Sequence, residues 1–308
     1  MKILVTGATG LVGTSIAEMK DEYPEYDFIF SSSKGCNLTK EEDVKALFEE
    51  TRPDYVIHTA ARTGGLGHNF STPAQQYYNN ILMNTYVIHY SYLYNVKRLL
   101  TFSAVAAFSP DLHLLKEQDL QVGEPHEGFY SYGYSKRMMD VQIQAYGKQY
   151  GTDFCSIICG NIFGERDGFN VEDGNVVPSL IHKCFIAKRN NTPLKVWGDG
   201  SPYREFVYSR DVARCCLSLL NEDIEVPNRL ILSGNKEVQI KDLVKLICDI
   251  FDYHDVEWVS TKSNGNQRRA TDKKVFNGLL PSFEFTDMGA ALGQTVEWFL
   301  KNYPDIRN

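Results

Sequence analysis

Three glycines near the N-terminus constrain the fold of this 308-residue chain more than any other feature. Gly7, Gly10 and Gly13 directly follow the apolar run Ile3-Leu4-Val5 and lead into a helix predicted over residues 11–19. Glycines at this spacing let the backbone approach a pyrophosphate, and the N-terminus of the helix attracts its charge. A plain structural turn would also use glycine. The strand before and the helix after favour a dinucleotide-binding turn.

Short apolar runs alternate with longer amphipathic runs through the first half of the chain. Strands are predicted at residues 2–6, 27–30, 55–58, 98–102 and 154–158, and a helix capped by Thr39 at about 40–51. Alternation of this kind gives a parallel sheet with helices on both faces. The predicted fold is α/β: a doubly wound parallel Rossmann sheet with a smaller, partly discontinuous α/β C-terminal substrate lobe.

The regular alternation ends after Asn161, where a Gly-, Asp- and Asn-rich loop is predicted over 164–174. The remaining predicted elements are helices at 176–188, 210–220 (capped by Ser209), 239–251 and 289–301, and strands at 194–197 and 205–208. We therefore expect a cofactor-binding domain from residues 1–163 and 205–235. The substrate lobe is then formed by residues 164–204 and 236–308.

Charge and cysteine content exclude several classes of function. The chain has 32 basic and 39 acidic residues, a net charge of −7, which argues against binding to nucleic acid or to an anionic membrane. No apolar run has the length of a membrane span, and the N-terminus lacks a signal-peptide pattern. The seven cysteines form no C-x-x-C pair, so neither a disulfide framework nor a zinc site is expected. The chain is predicted to be cytoplasmic and to bind no metal.

The strand predicted at 27–30 ends where a dinucleotide cofactor places its adenosine ribose. NAD-binding chains carry an acid there, whereas this chain has Ser31-Ser32-Ser33-Lys34. A carboxylate would repel a 2′-phosphate, but hydroxyls and an ammonium group would bind one. The predicted cofactor is therefore NADPH. The alternative is that Lys34 is an ordinary solvated lysine.

Ser103, Tyr132 and Lys136 form the predicted catalytic set. Tyr132 and Lys136 are four residues apart, on one face of a predicted helix, and Ser103 follows a sheet strand. A tyrosine that exchanges protons near neutrality needs a pKa below its usual value of about 10, and a lysine one turn away is expected to lower that pKa. Ser103 is expected to hydrogen-bond the substrate oxygen. The set predicts hydride transfer at a carbonyl.

Further motifs give the chain a specific family resemblance. They are Ala60-Ala61-Arg62-Thr63-Gly64-Gly65, the helix with Asn79-Asn80, Gly160-Asn161-Ile162-Phe163-Gly164, Asn175-Val176-Val177-Pro178 and the run over 196–206. On these motifs the chain resembles the extended short-chain dehydrogenase/reductases. Within them it is similar to the GDP-L-fucose synthases, which epimerise and reduce a GDP-linked 4-keto-6-deoxy sugar. The resemblance extends over most of the chain, and the run over 196–206 is its most specific part.

The resemblance implies a cofactor site made of the glycine turn, the strand ends and the catalytic pair. Its residues are Gly7, Thr9, Gly10, Leu11, Val12, Gly13, Ser31, Ser32, Ser33, Lys34, Asn37, Leu38, Ala60, Ala61, Arg62, Asn80, Tyr132, Lys136, Asn161 and Ile162.

The resemblance also implies a nucleotide-sugar site, in which Arg204 meets the diphosphate and Lys183 replaces a family arginine. Its residues are Val105, Asn161, Asn175, Val176, Lys183, Val196, Trp197, Arg204 and Arg269, the last aligned less firmly with its neighbour Arg268. The plain alternatives are core packing for Trp197 and a surface ion pair for Arg204.

Two positions depart from the family. Val105-Ala106 stand where the family has a cysteine after the catalytic serine, with no cysteine nearby, and Asn175 stands where it has a histidine. In the family these groups exchange protons at the carbons beside the ketone. Valine, alanine and an amide have no titratable proton near neutrality. His126 and His68 are possible substitutes, although an ordinary role in a loop is favoured for both.

The leading hypothesis is an NADPH-dependent C4-ketoreductase of a GDP-linked 4-keto-6-deoxy hexose or heptose. It would resemble the reductase-only GDP-6-deoxyheptose C4-reductases of capsular polysaccharide biosynthesis. The alternatives are a bifunctional epimerase/reductase, a 4,6-dehydratase and a non-catalytic NADP-sensing protein. The last would usually lose the tyrosine–lysine pair, which this chain keeps. A homodimer through the helices at about 77–93 and 132–149 is also expected.

Overall fold

A computed structural model describes residues 1–64, 66–172, 174–260 and 268–307, with the side chains of 66–68 excluded. The strands are β1 (Lys2–Thr6), β2 (Asp27–Ser31), β3 (Tyr55–His58), β4 (Arg98–Ala104), β5 (Leu114–Leu115), β6 (Asp153–Cys159), β7 (Asn161–Phe163), β8 (Leu194–Trp197), β9 (Tyr203–Tyr208), β10 (Arg229–Leu232), β11 (Glu237–Gln239), β12 (Val256–Val259) and β13 (Ala270–Thr271). The helices are α1 (Leu11–Met19), α2 (Glu41–Thr51), α3 (Leu66–Ser71), α4 (Pro73–Leu93), α5 (Tyr130–Tyr150), α6 (Val176–Asn190), α7 (Ser209–Ser218), α8 (Ile240–Phe251), α9 (Lys274–Leu279) and α10 (Met288–Asn302).

The main sheet has six strands in the order β2-β1-β3-β4-β6-β10, and every neighbouring pair is parallel. The chain moves from β1 to β2 on one side and then crosses to β3 on the other. Ligands of doubly wound folds bind outside the carboxyl ends of the strands, at such a change of direction. The prediction of a doubly wound parallel sheet is confirmed.

The strands form because their apolar residues are buried on both faces of the sheet. Ile3 and Val5 pack with α1 and α7 on one face, whereas Leu4 between them packs with α2, α4 and α5 on the other. This follows from the twofold period of a strand, with both faces covered by helices as parallel sheets require.

A separate apolar cluster lies in the C-terminal half of the chain. Ile181 on α6, Leu243 on α8 and Phe299 on α10 pack there against Val196 on β8 and Phe206 on β9. Two small sheets, β7-β9-β11 and β8-β12, contribute residues to this cluster, and a third small sheet pairs β5 with β13. Since Val207 belongs to the main core while Phe206 belongs to this second cluster, β9 connects the two halves.

Two predicted helix caps are wrong. Lys40 precedes α2 as its N-cap, and the Thr39 hydroxyl donates instead to Asn37 Oδ1 at 2.8 Å. Tyr208 precedes α7, so Ser209 is the first residue inside the helix, and its hydroxyl accepts a hydrogen bond from Ser15. Both hydroxyl side chains are hydrogen-bonded to other polar groups, and such bonds compete with helix capping.

Candidate active site

Ser103 lies one residue before the end of β4, at the carboxyl edge of the main sheet. It is 3% exposed, and its Oγ has no hydrogen-bond partner among the described residues. A buried hydroxyl without a partner costs free energy unless a ligand satisfies it. This orphaned group is therefore suited to binding a substrate oxygen.

Tyr132 and Lys136 lie in the first two turns of α5, and the Lys136 Nζ is 5.6 Å from the centre of the Tyr132 ring. Burial raises the pKa of Tyr132 to about 12, and a hydrogen bond with the Thr63 side chain only partly opposes the rise. The expectation that Lys136 lowers this pKa is therefore wrong for the protein alone. Desolvation of the hydroxyl is the largest effect because burial disfavours the charged phenolate.

Burial also lowers the pKa of Lys136 to about 8. The two shifts have a joint consequence at neutral pH: the tyrosine carries its proton, and most of the lysine still carries its charge. A protonated phenol is the form that a reductase needs as its proton donor. A nearby ammonium group then stabilises the phenolate that remains.

His58 and Asn84 are hydrogen-bonded to each other, and His58 is close enough to Lys136 to be affected by its charge. Neither residue was identified from the sequence. His58, the last residue of β3, has its Nδ1 2.6 Å from Thr6 Oγ1 and its Nε2 3.1 Å from Asn84 Oδ1. Burial, and then the charge of Lys136, lower the pKa of His58 to about 3. The ring is therefore neutral. His58 could have been identified from the sequence as a site residue, because it is a histidine at the carboxyl end of a predicted central strand.

Cys159 corrects the expectation that no cysteine is nearby. The last residue of β6, it pairs in register with Ala104, the residue after Ser103. Its thiol is 3% exposed, and burial raises its pKa to about 12. A thiol with this pKa is protonated at neutral pH, so its nearness does not restore the missing base. All seven cysteines are buried, as expected of inert core residues.

The glycine turn has the geometry that its motif predicts. Gly7 has a φ of +75°, and a Cβ there would lie 2.6 Å from the Ala60 backbone nitrogen. A Cβ on Gly13 would lie 2.4 Å from the Gly7 carbonyl oxygen, so only glycine lets α1 approach the turn. Gly10 is the N-cap of α1, and the first turn of the helix has no acid. The cradle fits an anionic pyrophosphate.

Other predicted cofactor residues follow the carboxyl ends of β2 and β3. Ser31 ends β2 and accepts a hydrogen bond from the Ala8 nitrogen, while Ser33 and Lys34 are exposed beyond it. Asn80 accepts from the Arg62 nitrogen and donates to the Arg62 carbonyl, both at 2.8 Å. Its amide therefore holds the loop after β3 in place. The other predicted positions are Thr9, Leu11, Val12, Ser32, Asn37, Leu38, Ala61, Asn161 and Ile162.

Arg204 and Arg269 form a basic pair, and the described residues provide no counter-ion for it. Burial lowers the pKa of both, and the charge of Arg204 is close enough to lower that of Arg269 further. Among the described residues neither has an ion-pair partner, and the buried Arg269 Nε has no hydrogen-bond partner. The surface ion pair considered for Arg204 is therefore absent from this part of the structure, and the pair suits a multivalent anion. Arg268 instead pairs with Glu237.

Lys183 on α6 and Trp197 at the end of β8 form a second unit, with Nζ 4.7 Å from the centre of the indole. Trp197 is 50% exposed, so the core-packing alternative is wrong. Its neighbour Val196 is buried and anchors the strand in the apolar cluster. An exposed indole beside a cation offers a surface for stacking and for a phosphate.

The two departures from the family lie in exposed or partly exposed turns. Val105 begins a short 3₁₀ turn after β4, and Asn175 is the exposed N-cap of α6, followed by the exposed Val176. His126 is exposed, and its Nδ1 accepts from the Gly128 nitrogen at 3.0 Å. This bond keeps His126 in a local turn. The side chain of His68 lies outside the described residues.

Asn161 connects the catalytic edge to the basic pair. Its amide donates to the Glu205 carbonyl at 2.9 Å, next to Arg204. Arg269 in turn donates to the carbonyl of Ser109, six residues after Ser103, at 3.0 Å. The structure thus brings the basic pair to the same side of the fold as the catalytic set.

The parallel sheet, the glycine cradle and the Ser–Tyr–Lys set define a nucleotide-cofactor-dependent oxidoreductase. The chain belongs to the NAD dependent epimerase/dehydratase family, whose model matches residues 3–232. Among the described residues, no helix is both long and apolar enough to cross a membrane, and no cluster of ligand side chains could hold a metal.

Individual proteins that are similar to this chain act on GDP-linked sugars, according to their names. The GDP-L-fucose synthase of Dictyostelium discoideum is 32% identical over 311 residues, covering 99% of this chain and 97% of that protein. The crystal structure of a GDP-L-fucose synthetase from Naegleria fowleri bound to NADP is 32% identical, with a TM-score of 0.92, and covers 100% and 96% of the two chains. A GDP-mannoheptose C4 reductase from Campylobacter jejuni shares the fold, with a TM-score of 0.84 at 24% identity over 97% and 98%.

Proposed function

We propose that this chain is an NADPH-dependent C4-ketoreductase of a GDP-linked 4-keto-6-deoxy sugar, a hexose or a heptose. The observation that carries the proposal is the orphaned Ser103 hydroxyl, which shares the carboxyl edge of one sheet with Tyr132 and Lys136. The setting would be the cytoplasm and the pathway capsular polysaccharide biosynthesis, as the resemblance to reductase-only relatives suggests.

NADPH is the proposed cofactor because the end of β2 carries hydroxyls and Lys34 and has no acid. A family member similar over its full length has been solved bound to NADP. The glycine cradle would hold the pyrophosphate, and Ser32, Ser33 and Lys34 the 2′-phosphate. When bound, NADPH supplies the hydride that is added to the carbonyl carbon.

The catalytic residues would act on the carbonyl oxygen. Ser103 donates a hydrogen bond to that oxygen and orients it, and Tyr132 gives its proton to the oxygen as charge develops there. Lys136 then stabilises the phenolate by its positive charge. Arg204, Arg269 and Lys183 bind the diphosphate, and Trp197 offers its exposed ring to the nucleoside.

Epimerisation is not part of the proposed reaction. Val105 and Asn175 have no titratable group, and the thiol of Cys159 has a pKa of about 12. A bifunctional epimerase/reductase of the fucose synthase type is the second candidate, because relatives with that name match the whole chain.

The test is turnover of GDP-4-keto-6-deoxymannose and a GDP-4-keto heptose with NADPH in deuterated water. We expect a C4 alcohol by NMR, with no enzyme-dependent deuterium at C3 or C5, and much slower product formation with Tyr132→Phe. Enzyme-dependent deuterium at either carbon would support the bifunctional candidate, and His126→Asn would then test the substitute base. No reduction of any substrate would exclude both.

We also infer a homodimer formed through α4 and α5. α4 has no Asp, Glu, Lys or Arg in 21 residues, and Met138 and Val141 on α5 are 39% and 46% exposed. Tyr86 and Tyr146 are half-buried, but Tyr90 is buried beside Phe48 and so is a core residue rather than part of this surface.

We also propose that the chain divides into a cofactor domain (1–163 and 205–235) and a substrate lobe (164–204 and 236–308). The separate apolar cluster of α6, α8 and α10 supports it.

A further inference from the structure

We infer that Arg137 is a positioning residue, which holds Ser103 and Tyr132 in register by binding the two chain segments that lead away from and into them. This inference rests on the proposed reductase function. Arg137 follows Lys136 on α5 and is 2% exposed.

The guanidinium of Arg137 makes three hydrogen bonds, all to backbone carbonyls. Nε donates to Ala107 at 2.8 Å, Nη1 to Gly123 at 2.6 Å and Nη2 to Val122 at 3.3 Å. Among the described residues no carboxylate lies within ion-pair distance of it; the ring of Tyr134 lies 5.6 Å away, and Glu124 acts on it only through its more distant charge. One side chain thus fixes two backbone segments to the catalytic helix.

The two segments are the ones that set the geometry of the site. Ala107 closes the 3₁₀ turn that begins two residues after Ser103. Val122 and Gly123 start the loop that leads to α5 and Tyr132. This loop is packed tightly: a Cβ on Gly133 would lie 2.8 Å from Pro125 Cβ and 3.5 Å from the carbonyl oxygen of Ala106. A shift of either segment would therefore change the distance between the serine and the tyrosine.

Arginine is the side chain suited to this task. Its planar fork presents several donors in fixed directions, whereas lysine has one point charge and methionine has no donor. Burial of a charge without a carboxylate in direct contact is costly and lowers the pKa of Arg137, and an apolar residue of similar size would often serve stability as well. The choice of arginine is therefore explained by what it positions.

Arg98 provides a matched control, because it lies on β4, the strand of Ser103, at the opposite end. It begins β4, is 4% exposed and also donates to backbone carbonyls, those of Leu219, Asn221 and Ile224. It also pairs with Asp153. Its contacts lie at the amino edge of the sheet, away from Ser103, so its loss should affect stability without affecting the site.

The experiment compares Arg137→Met, Arg137→Lys and Arg98→Met with the wild type, each well below its own melting temperature. We expect Arg137→Met to lower kcat by about 10- to 100-fold, the usual effect of a misplaced catalytic group, with the Kd for NADPH unchanged. Arg137→Lys should retain more activity than Arg137→Met. Arg98→Met should melt earlier but keep the wild-type kcat. Wild-type kcat in folded Arg137→Met would overturn the inference.

A second readout does not depend on turnover. Hydrogen–deuterium exchange of peptides covering residues 104–126 should increase in Arg137→Met, whereas in Arg98→Met the increase should fall on residues 219–224. If the wild type reduces no GDP-4-keto sugar, the proposed function fails. The exchange measurement still tests whether Arg137 holds the two backbone segments in place. Unchanged exchange over 104–126 in Arg137→Met would overturn the inference.

Discussion

The Lys136 ammonium nitrogen lies 5.6 Å from the centre of the Tyr132 ring, one turn away on α5, and this pair sets the protonation state of the site. Burial moves the two pKa values apart, up to about 12 for the tyrosine and down to about 8 for the lysine. The tyrosine consequently keeps its proton over the whole neutral range. The lysine loses its charge near pH 8, which lies within the pH range of ordinary assays.

Tyr132→Phe should lower kcat by about 10²–10⁴, the usual contribution of a general acid, because the phenyl ring keeps the packing and loses the proton. Binding of NADPH, followed by fluorescence titration, should be retained. Tyr134→Phe is the control, since Tyr134 packs on Tyr130 instead. Near-wild-type turnover of Tyr132→Phe would contradict the assignment.

The reduction rate should be level at neutral pH and fall as the pH rises through about 8. Lys136, whose pKa is lowered to about 8 by burial, loses the charge that stabilises the phenolate above that value. A pH–kcat profile measures the fall. Lys136→Arg should move the fall to higher pH because arginine stays charged, and an unmoved profile would assign the fall to another group.

NADPH should bind more tightly than NADH, and Lys34→Ala should reduce the difference. Loss of a hydrogen bond to a charged group costs about 1.5–3 kcal/mol, or roughly a tenfold or larger rise in the Kd for NADPH. The Kd for NADH should not change, and the exposed Lys40→Ala variant is the control. Isothermal titration of both cofactors decides the point, and equal affinities in the wild type would contradict the 2′-phosphate site.

Asp167 should make the fold less stable at alkaline pH. Its carboxyl is 6% exposed, Oδ2 has no hydrogen-bond partner, and burial raises its pKa to about 7 from 3.8. The folded chain therefore binds this proton more tightly than the unfolded chain. The stabilisation is complete below about pH 4 and is lost as the pH rises through about 7.

Asp167→Asn removes that loss and should stabilise the protein at pH 8 by up to about 4 kcal/mol, with little change at pH 4. Urea unfolding at several pH values measures this difference. Glu172→Gln, an exposed acid in the same loop, should follow the wild type. Parallel pH curves for Asp167→Asn and the wild type would refute the effect.

Val141→Glu should convert the proposed dimer to a monomer, because it places a charge in the apolar surface of α4 and α5. Light scattering during size exclusion measures the mass. Val275→Glu on α9, where Val275 is 39% exposed, is the matched control and should remain dimeric. A wild-type monomer at micromolar concentration would exclude the dimer altogether.

Local patterns were sufficient to predict the main sheet and the catalytic set. The strand before Gly7, the helix after Gly13 and the four-residue spacing of Tyr132 and Lys136 all depend on neighbours in the chain, which is why they could be recognised. The caps at Thr39 and Ser209 were wrong because each hydroxyl had another polar partner in the folded protein.

The sequence by itself therefore determined the class of fold, the glycine turn and the three residues proposed as catalytic. Only the tertiary structure decided the pKa of Tyr132, because desolvation depends on what surrounds the hydroxyl. It also decided the approach of Cys159 to Ala104 and the binding of Arg137 to the segments around residues 107 and 123. These contacts join residues far apart in the chain, and no local pattern encodes the packing that brings them together.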